Sequence, residues 1–337
     1  MSPADDPRRR LLLLGDGLWA AAALRHLAVR HVLPAVVERS CPTDDSLARA
    51  AREAGLPLVR LADVNAPDAR EWIRSLAPDL LLSVSYDQIF QRPLLSPPHP
   101  PVLNLHAGHP DRQRGRAVLC WQLLEGVREL ELTVMRVTRG IDRGPVLGVS
   151  HVALGEDDEY GQALERVCAA VPAVLDQALA ALAGERALPG DAAAQPVYYP
   201  RRRAGDEWLD WNRDSADLLR LIRALAPPNC LAATRLGERE LRVRRAAACP
   251  DFPAGVAGVP GAVIGRDPVR GLLVKTGDGA LWLGELWTPE GERVPQQEFH
   301  LSDRFGNGTL AELESLRRRV GRLEERLAAL EGVAHAG

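Results

Sequence analysis

A chain of 337 residues is long enough to bury a sizeable core, and its length suits one large domain plus a smaller one. Its 42 Lys and Arg against 45 Asp and Glu leave a formal charge of -3, which argues against a coat for nucleic acid or for an anionic membrane and favours a small, specific ligand.

The chain opens with Arg8-Arg9-Arg10 and the apolar run Leu11 to Leu14. That run stops at Gly15-Asp16-Gly17, too short for an export segment, and no later run approaches a membrane span. A cytoplasmic protein is expected. Strand 11–14, the glycine turn and an Ala/Leu-rich helix over residues 18–30 form the first unit. Residues 32–38 read as a strand, 46–54 as a helix, 68–77 as a helix and 80–84 as a strand. Then come strand 101–106, polar loop 107–116, helix 117–125, strands 132–137 and 146–152, and helix 159–183. Strands alternating with helices predict an α/β domain over residues 1–190 with a Rossmann-like, mostly parallel sheet. A Pro, Gly and Ala-rich linker covers residues 188–196. Beyond a helix at 216–225, short runs at 231–236, 241–246, 261–264, 272–275 and 281–286 predict a small OB-like antiparallel β-barrel over residues 197–305. A C-terminal helix follows at 309–331.

Composition removes further classes. Cys41, Cys120, Cys168, Cys230 and Cys249 are widely spaced with no CxxC pair, so they read as reduced, buried small hydrophobes. The sequence holds one lysine, Lys275. A P-loop is therefore absent, and the turn-like setting of Lys275 argues against a pyridoxal Schiff base. No His/Cys cluster has metal-ligand spacing, so no metal is expected.

Three motifs carry chemistry. Gly15-Asp16-Gly17-Leu18-Trp19-Ala20, with Glu38 ending the next strand, fits a dinucleotide turn and hence a nicotinamide-dependent (NAD) oxidoreductase. It equally fits any tight strand-to-helix turn. Asn104 and His106 end a strand and share one face, so an amide donor and an imidazole would converge on one small volume. Thr138 to Gly144 is a glycine-punctuated turn presenting Asp142, which by itself is an ordinary turn former.

In combination these segments resemble a known family. Asn104-Leu105-His106-Ala107-Gly108, Arg114-Gly115-Arg116, Trp121, Thr133-Val134 and Gly140-Ile141-Asp142-Arg143-Gly144 resemble, in order and spacing, the folate-dependent formyltransferases of methionyl-tRNA and of amino sugars. The stretch Ser83 to Ile89 resembles the family's folate-binding strand and loop. Arg201 to Arg203, Gly205 to Asn212 and Pro260 to Val263 resemble its C-terminal domain. The likeness covers roughly residues 10 to 290. One departure is Pro110-Asp111-Arg112-Gln113, where the family usually has Leu-Pro-x-Tyr. The resemblance implies 10-formyltetrahydrofolate as formyl donor, with Asn104, His106 and Asp142 catalytic. Asn104 would donate to the oxyanion, His106 would assist it and handle the proton, and Asp142 would orient His106 or relay the proton. It assigns Ser85, Tyr86, Asp87, Gln88, Ile89, Arg139, Gly140 and Ile141 to the pterin, and Gly15, Gly17, Arg114, Gly115 and Arg116 to substrate. A catalytically dead scaffold with the same fold is the remaining alternative.

For the acceptor amine, a nucleotide-linked amino sugar is favoured over methionyl-tRNA. Residues 38–55, where a family member could carry a basic insertion, are short and nearly neutral, with Asp44, Asp45 and Glu53 against Arg39, Arg49 and Arg52. In the tail, Leu313, Leu316, Val320, Leu323, Leu327 and Leu330 follow the a/d spacing of a coiled coil. A homodimer through residues 309–331 is expected. An amphipathic helix packed on its own barrel is the alternative.

Overall fold

The computed structural model describes residues 8–184, 186–188, 195–253, 255–306, 313 and 316–324. Most of the expected 188–196 linker and half of the 309–331 helix, including Glu312, Arg326, Leu327, Leu330 and Glu331, lie outside the described residues. The chain divides into two compact units. The first holds Met1–Gln122 and Val127–Arg202, the second Leu123–Gly126 and Arg203–Gly337.

The first unit is an α/β domain. Its strands and helices are β1 (Leu11–Gly15), α1 (Gly17–Ala28), β2 (Val36–Glu38), α2 (Ser46–Glu53), β3 (Leu58–Arg60), α3 (Pro67–Ser75), β4 (Leu80–Val84) and β5 (Val102–His106). These are followed by β6 (Gln113–Gly115), α4 (Val118–Glu125), β7 (Glu129–Arg136), β8 (Val146–Ala153), α5 (Tyr160–Ala183) and β9 (Val197–Tyr199). The last three residues of α4 belong to the second unit. The main sheet runs β3-β2-β1-β4-β5-β7-β8. Its first five strands are parallel, while β7 is antiparallel to both β5 and β8. The chain thus winds outward from β1 to β3, then crosses to β4 and β5. Where the winding reverses, between β1 and β4, a crevice opens at the carboxyl ends of the strands.

Local sequence explains the layers. Leu11 to Leu14 and Leu80 to Leu82 are buried on both faces, as central parallel strands require. Helix α1 buries Ala20, Ala21, Ala23, Leu24 and Leu27 at helical spacing. Helix α5 is long and apolar enough to cross a bilayer by composition. It buries Ala163, Leu164, Val167, Val171, Val174, Leu175, Ala178 and Leu179 as one stripe, packs on β8 and α1, and exposes Glu165 and Arg166. The α5–β8 approach is close: a Cβ on Gly148 would sit 2.7 Å from the Val174 carbonyl oxygen.

The second unit holds α6 (Ser215–Ala224), β10 (Ala232–Leu236), β11 (Arg239–Ala248), β12 (Val263–Asp267), β13 (Gly271–Lys275), β14 (Ala280–Trp287), β15 (Arg293–Val294) and β16 (Phe305–Gly306). The antiparallel sheet runs β12-β13-β14-β11-β10-β16 and curls on itself. Its ends meet where Ala262 bridges Arg304 and the Val263 N–H donates to Asp303. Phe299, Phe305, Trp211, Leu241 and Val243 fill the interior. A helix over residues 316–324 follows.

Several expectations change. The strand expected from residue 32 begins at Val36; Pro34 interrupts the run, and Val32 makes only an isolated bridge to Arg10. The loop at 107–116 contains β6, which pairs with β9, so Val197 to Tyr199 belong to the first unit rather than opening the second. Of the five cysteines only Cys120 is buried; Cys41 and Cys230 are exposed and the other two half-buried.

Candidate functional site

Strand β5 carries the site's first two side chains. Leu103 and Leu105 point into the core, so the period of two turns Asn104 and His106 to the opposite face, about 6.6 Å apart along the strand. Asn104 lies beside Ser83 of β4 and Met135 of β7, and His106 beside Thr133. Thr133, fully buried, donates its hydroxyl to the Gly108 carbonyl at 2.7 Å, and buried Gln122 donates to the Ala107 carbonyl at 2.8 Å. These two bonds fix the turn by which the chain leaves β5. Among the described residues the Asn104 amide makes no hydrogen bond, and it is half-buried.

His106 is held by its far nitrogen. Nε2 lies 2.8 Å from the Gln113 carbonyl oxygen, which can only accept, so Nε2 carries the proton. In the neutral ring Nδ1 is then a bare acceptor. It faces Asp142 Oδ2 at 4.0 Å, longer than a hydrogen bond, with both side chains about nine-tenths buried. Asp142 comes from the β7–β8 turn, and its Oδ2 accepts the Gly115 N–H at 2.9 Å. Its φ of 48° is a left-handed conformation that costs a non-glycine residue on the order of 1 kcal/mol. Gly115 has no room for a side chain: at φ 104° a Cβ would lie 2.1 Å from the Tyr199 carbonyl oxygen. The orienting partner of His106 is therefore main chain, with the Asp142 carboxylate 4.0 Å from its other ring nitrogen. A proton gained at Nδ1 would create an imidazolium facing a carboxylate.

The β4–β5 connection starts at Ser85, exposed and left-handed at φ 57°. Tyr86 turns its ring inward against Phe90, at 6.1 Å between centroids, and packs on the core around Leu14 and Leu81. Burial, then the nearby Asp87 and Asp63 charges, pushes its phenol up to about 12. The Gln88 amide is likewise spent inward, accepting from the Val64 N–H at 2.7 Å and donating to the Leu61 carbonyl at 3.0 Å. Neither side chain is available to a ligand; their main chain is. Ile89 is exposed, and so is Ile141, which lies on the Asp142 turn with Arg139 and Gly140. Asp87 Oδ1 is enclosed and has no hydrogen-bond partner among the described residues. An orphaned acceptor beside the exposed Ile89 suits a flat ring system edged with N–H donors.

The glycine turn takes a structural role. Gly15 lies so close to β4 that a Cβ would meet the Val84 carbonyl oxygen at 2.6 Å. Buried Asp16 accepts from the Thr43 N–H at 3.0 Å, the Thr43 hydroxyl at 2.8 Å and Arg39 at 3.1 Å. A carboxylate thus lies where a pyrophosphate would need the start of α1. Glu38 is fully buried and paired with Arg60 at 2.5 Å, out of reach of a ribose. The dinucleotide reading fails on both counts. Arg39 also approaches Asp87 at 3.6 Å, and Arg116 donates to the Asp87 carbonyl at 2.8 Å. Arg114 donates to the Pro110 carbonyl at 2.5 Å. The Asp16–Arg39–Asp87 chain and the Gln113 carbonyl had no sequence signal: ion pairs between distant loops leave no local pattern, and a main-chain acceptor is independent of its residue type.

A doubly wound sheet with a half-buried amide and a main-chain-held imidazole on one strand at its carboxyl edge, together with a second, barrel unit, is the arrangement of a two-domain group-transfer enzyme. Residues 39–179 match the Formyl transferase family and residues 202–304 the Formyl transferase, C-terminal domain. The chain belongs to the formyl transferase family. It is an N-formyltransferase, and 10-formyltetrahydrofolate is its formyl donor. Methionyl-tRNA formyltransferase of Geobacter sulfurreducens is 29% identical over 313 residues, 89% of this chain and 96% of that protein. That of Methylococcus capsulatus is 32% identical over 252 residues, 73% of this chain and 79% of that protein. Among solved structures, the N-formyltransferase of Helicobacter canadensis, in complex with folinic acid and dTDP-3-aminofucose, shares the fold. Its TM-score is 0.61 at 13% identity, over 84% of this chain and 99% of that one. HypX of Aquifex aeolicus, in complex with tetrahydrofolic acid, gives 0.58 at 18% identity; the match covers 87% of this chain but 47% of HypX.

Proposed function

We propose that this enzyme moves the formyl group of 10-formyltetrahydrofolate to the primary amine of a nucleotide-linked amino sugar in the cytoplasm. The observation that carries the chemistry is the His106 ring, its Nε2–H spent on the Gln113 carbonyl and its Nδ1 bare toward Asp142. The amine nitrogen forms a bond to the formyl carbon as the bond from that carbon to folate N10 breaks. Asn104, whose amide has no hydrogen-bond partner among the described residues, donates to the oxygen as negative charge develops there. An oxyanion donor of this kind contributes about 3 kcal/mol. His106 takes the proton the amine sheds at Nδ1, Asp142 stabilises the resulting imidazolium, and the proton passes on to N10. The main chain of residues 85–89 and 139–141 would hold the pterin, with Asp87 taking an N–H of its edge.

Charge supports the small acceptor. The β2–α2 connection, residues 39–45, folds back onto Asp16 through Thr43 and Arg39 instead of extending a basic arm. Residues 203–306 carry nearly equal numbers of basic and acidic side chains, and many of the arginines are paired, among them Arg239 with Glu298 and Arg242 with Glu240. A tRNA reader needs an excess of basic groups for phosphates. The second reading, methionyl-tRNA as acceptor, is favoured by the relatives of that name. Mass spectrometry of a panel of amino-sugar nucleotides and methionyl-tRNA after incubation with 10-formyltetrahydrofolate decides. A gain of one formyl group on a sugar nucleotide, lost with His106→Ala, is expected; formylation of methionyl-tRNA alone would overturn the sugar assignment.

A further inference from the structure

On the roles proposed above for His106 and Asp142, we infer that β9 is the element that positions both, with Tyr199 as its positioning residue. One short strand holds the two side chains. The Gln113 carbonyl of β6 accepts the His106 Nε2–H at 2.8 Å, and the Gly115 N–H, two residues on, donates to Asp142 at 2.9 Å. Along a strand the main-chain groups of successive residues point to opposite edges. The Arg112 carbonyl accepts the Val197 N–H at 2.7 Å and the Arg116 N–H donates to the Tyr199 carbonyl at 2.9 Å, so these residues face β9. Gln113 and Gly115 lie between them and turn to the other edge. That edge carries His106 and Asp142 where a larger sheet would carry another strand.

Among the described strands, β6 pairs with β9 alone. Side chains hold β9 in turn. Tyr199 is buried and stacks on Trp121 of α4, with 6.0 Å between ring centroids and 10° between the planes. The Trp121 Nε1–H donates to the Pro200 carbonyl at 3.0 Å, which fixes the chain just beyond β9. The approach of the two strands leaves no slack, since a Cβ on Gly115 would lie 2.1 Å from the Tyr199 carbonyl oxygen. A displacement of β9 therefore moves the Gln113 carbonyl and the Gly115 N–H together, and both side chains lose their holds at once. A misplacement of about 1 Å in a catalytic group can cost about 10²-fold in rate.

The test reads the His106 ring in the resting full-length enzyme, with no acceptor added. Nitrogen NMR of isotope-labelled histidine, with the His106 signals assigned by their loss in His106→Ala, should show the neutral native ring protonated on Nε2 alone. Tyr199→Ala removes the stack on Trp121. Val197→Pro removes the N–H donated to the Arg112 carbonyl at an exposed side chain, so it spares the core should Tyr199→Ala fail to fold. In both variants the neutral ring should divide between its two tautomers. Their kcat per folded molecule, measured with whichever amine of the panel above accepts formyl, should fall by about 10- to 10²-fold. Tyr199→Phe keeps the ring stack and Val197→Ala keeps the N–H, so both should retain the native tautomer and kcat. A part that merely stiffens the fold would lower the melting temperature and leave the tautomer unchanged. Tyr199→Ala and Val197→Pro enzymes that keep the proton on Nε2, or that keep native kcat, overturn the inference. A native ring protonated on Nδ1 overturns the underlying reading of the site instead.

Discussion

At the scale of single residues, Asp142 makes two separable contacts. Its Oδ2 anchors the Gly115 N–H, a structural bond, and its charge faces His106 Nδ1 across 4.0 Å. Asparagine keeps an acceptor oxygen for Gly115, and it tolerates the left-handed backbone better than most residues do. Asp142→Asn should therefore fold with a near-native melting temperature but lower kcat by about 10²-fold, through loss of imidazolium stabilisation. Asp142→Ala should lose the anchor as well, adding a fall in stability of about 1–2 kcal/mol. Equal melting temperatures for the two variants would show that the Gly115 contact carries no weight. A kcat unchanged in Asp142→Asn would remove the carboxylate from the chemistry. Asn104 and His106 were legible in the sequence because a strand's period of two puts both on one face at a carboxyl end. The anchoring role of Asp142 was not legible, since a lone aspartate in a glycine-rich turn has the same pattern whether it bonds its own turn or a distant N–H.

At the scale of elements, the parts read correctly from sequence are those whose burial forces a pattern. The continuous leucines of β1 and β4 and the striped helix α5 could hardly be anything else. The missed strands β3, β6, β9, β15 and β16 have two or three residues each, too few to show a period, and exist because a neighbour offers hydrogen bonds. Glycines mark contacts that no pattern announces. Gly148 on β8 reads as an interruption, yet it lets α5 approach to where a Cβ would stand 2.7 Å from the Val174 carbonyl. Gly148→Ala should push the helix off the sheet and cost about 1–3 kcal/mol, measured by denaturant unfolding; an unchanged midpoint would mean that α5 can shift freely. In the barrel, Asp278 accepts the Ser215 N–H at 2.8 Å, which caps the start of α6. That main-chain bond, with those from the Ser215 and Thr276 hydroxyls, holds its carboxyl below the ordinary 3.8. The carboxylate therefore stabilises the fold fully above its unfolded value and loses that contribution as pH falls through the lower folded one. Asp278→Ala should melt below native at neutral pH, and the gap should close in acid as pH falls through the lowered folded value. A gap of constant width would sink the capping role.

At the scale of the whole molecule, charge balance decides how the enzyme meets its acceptor. A protein that neutralises six to ten phosphates loses roughly 10³- to 10⁵-fold in affinity between 50 and 200 mM salt, because each contact releases a counterion. A nucleotide-linked sugar brings about two phosphate charges. The same fourfold rise in salt then lowers kcat/KM by about tenfold at most. With a formal charge of -3, and with Arg39, Arg114 and Arg116 committed to carboxylates and carbonyls, this chain has no excess of positive charge to offer a long polyanion. The expected outcome is a shallow salt dependence of formyl transfer, with deacylated tRNA failing to inhibit at concentrations where a free nucleoside diphosphate does. A steep salt slope together with inhibition by deacylated tRNA would instead require a basic face assembled from the paired arginines, with their carboxylate partners displaced on binding. Charge reversal at one exposed pair of the barrel, Arg239 with Glu298, would then weaken tRNA inhibition while leaving the transfer to a small amine unchanged.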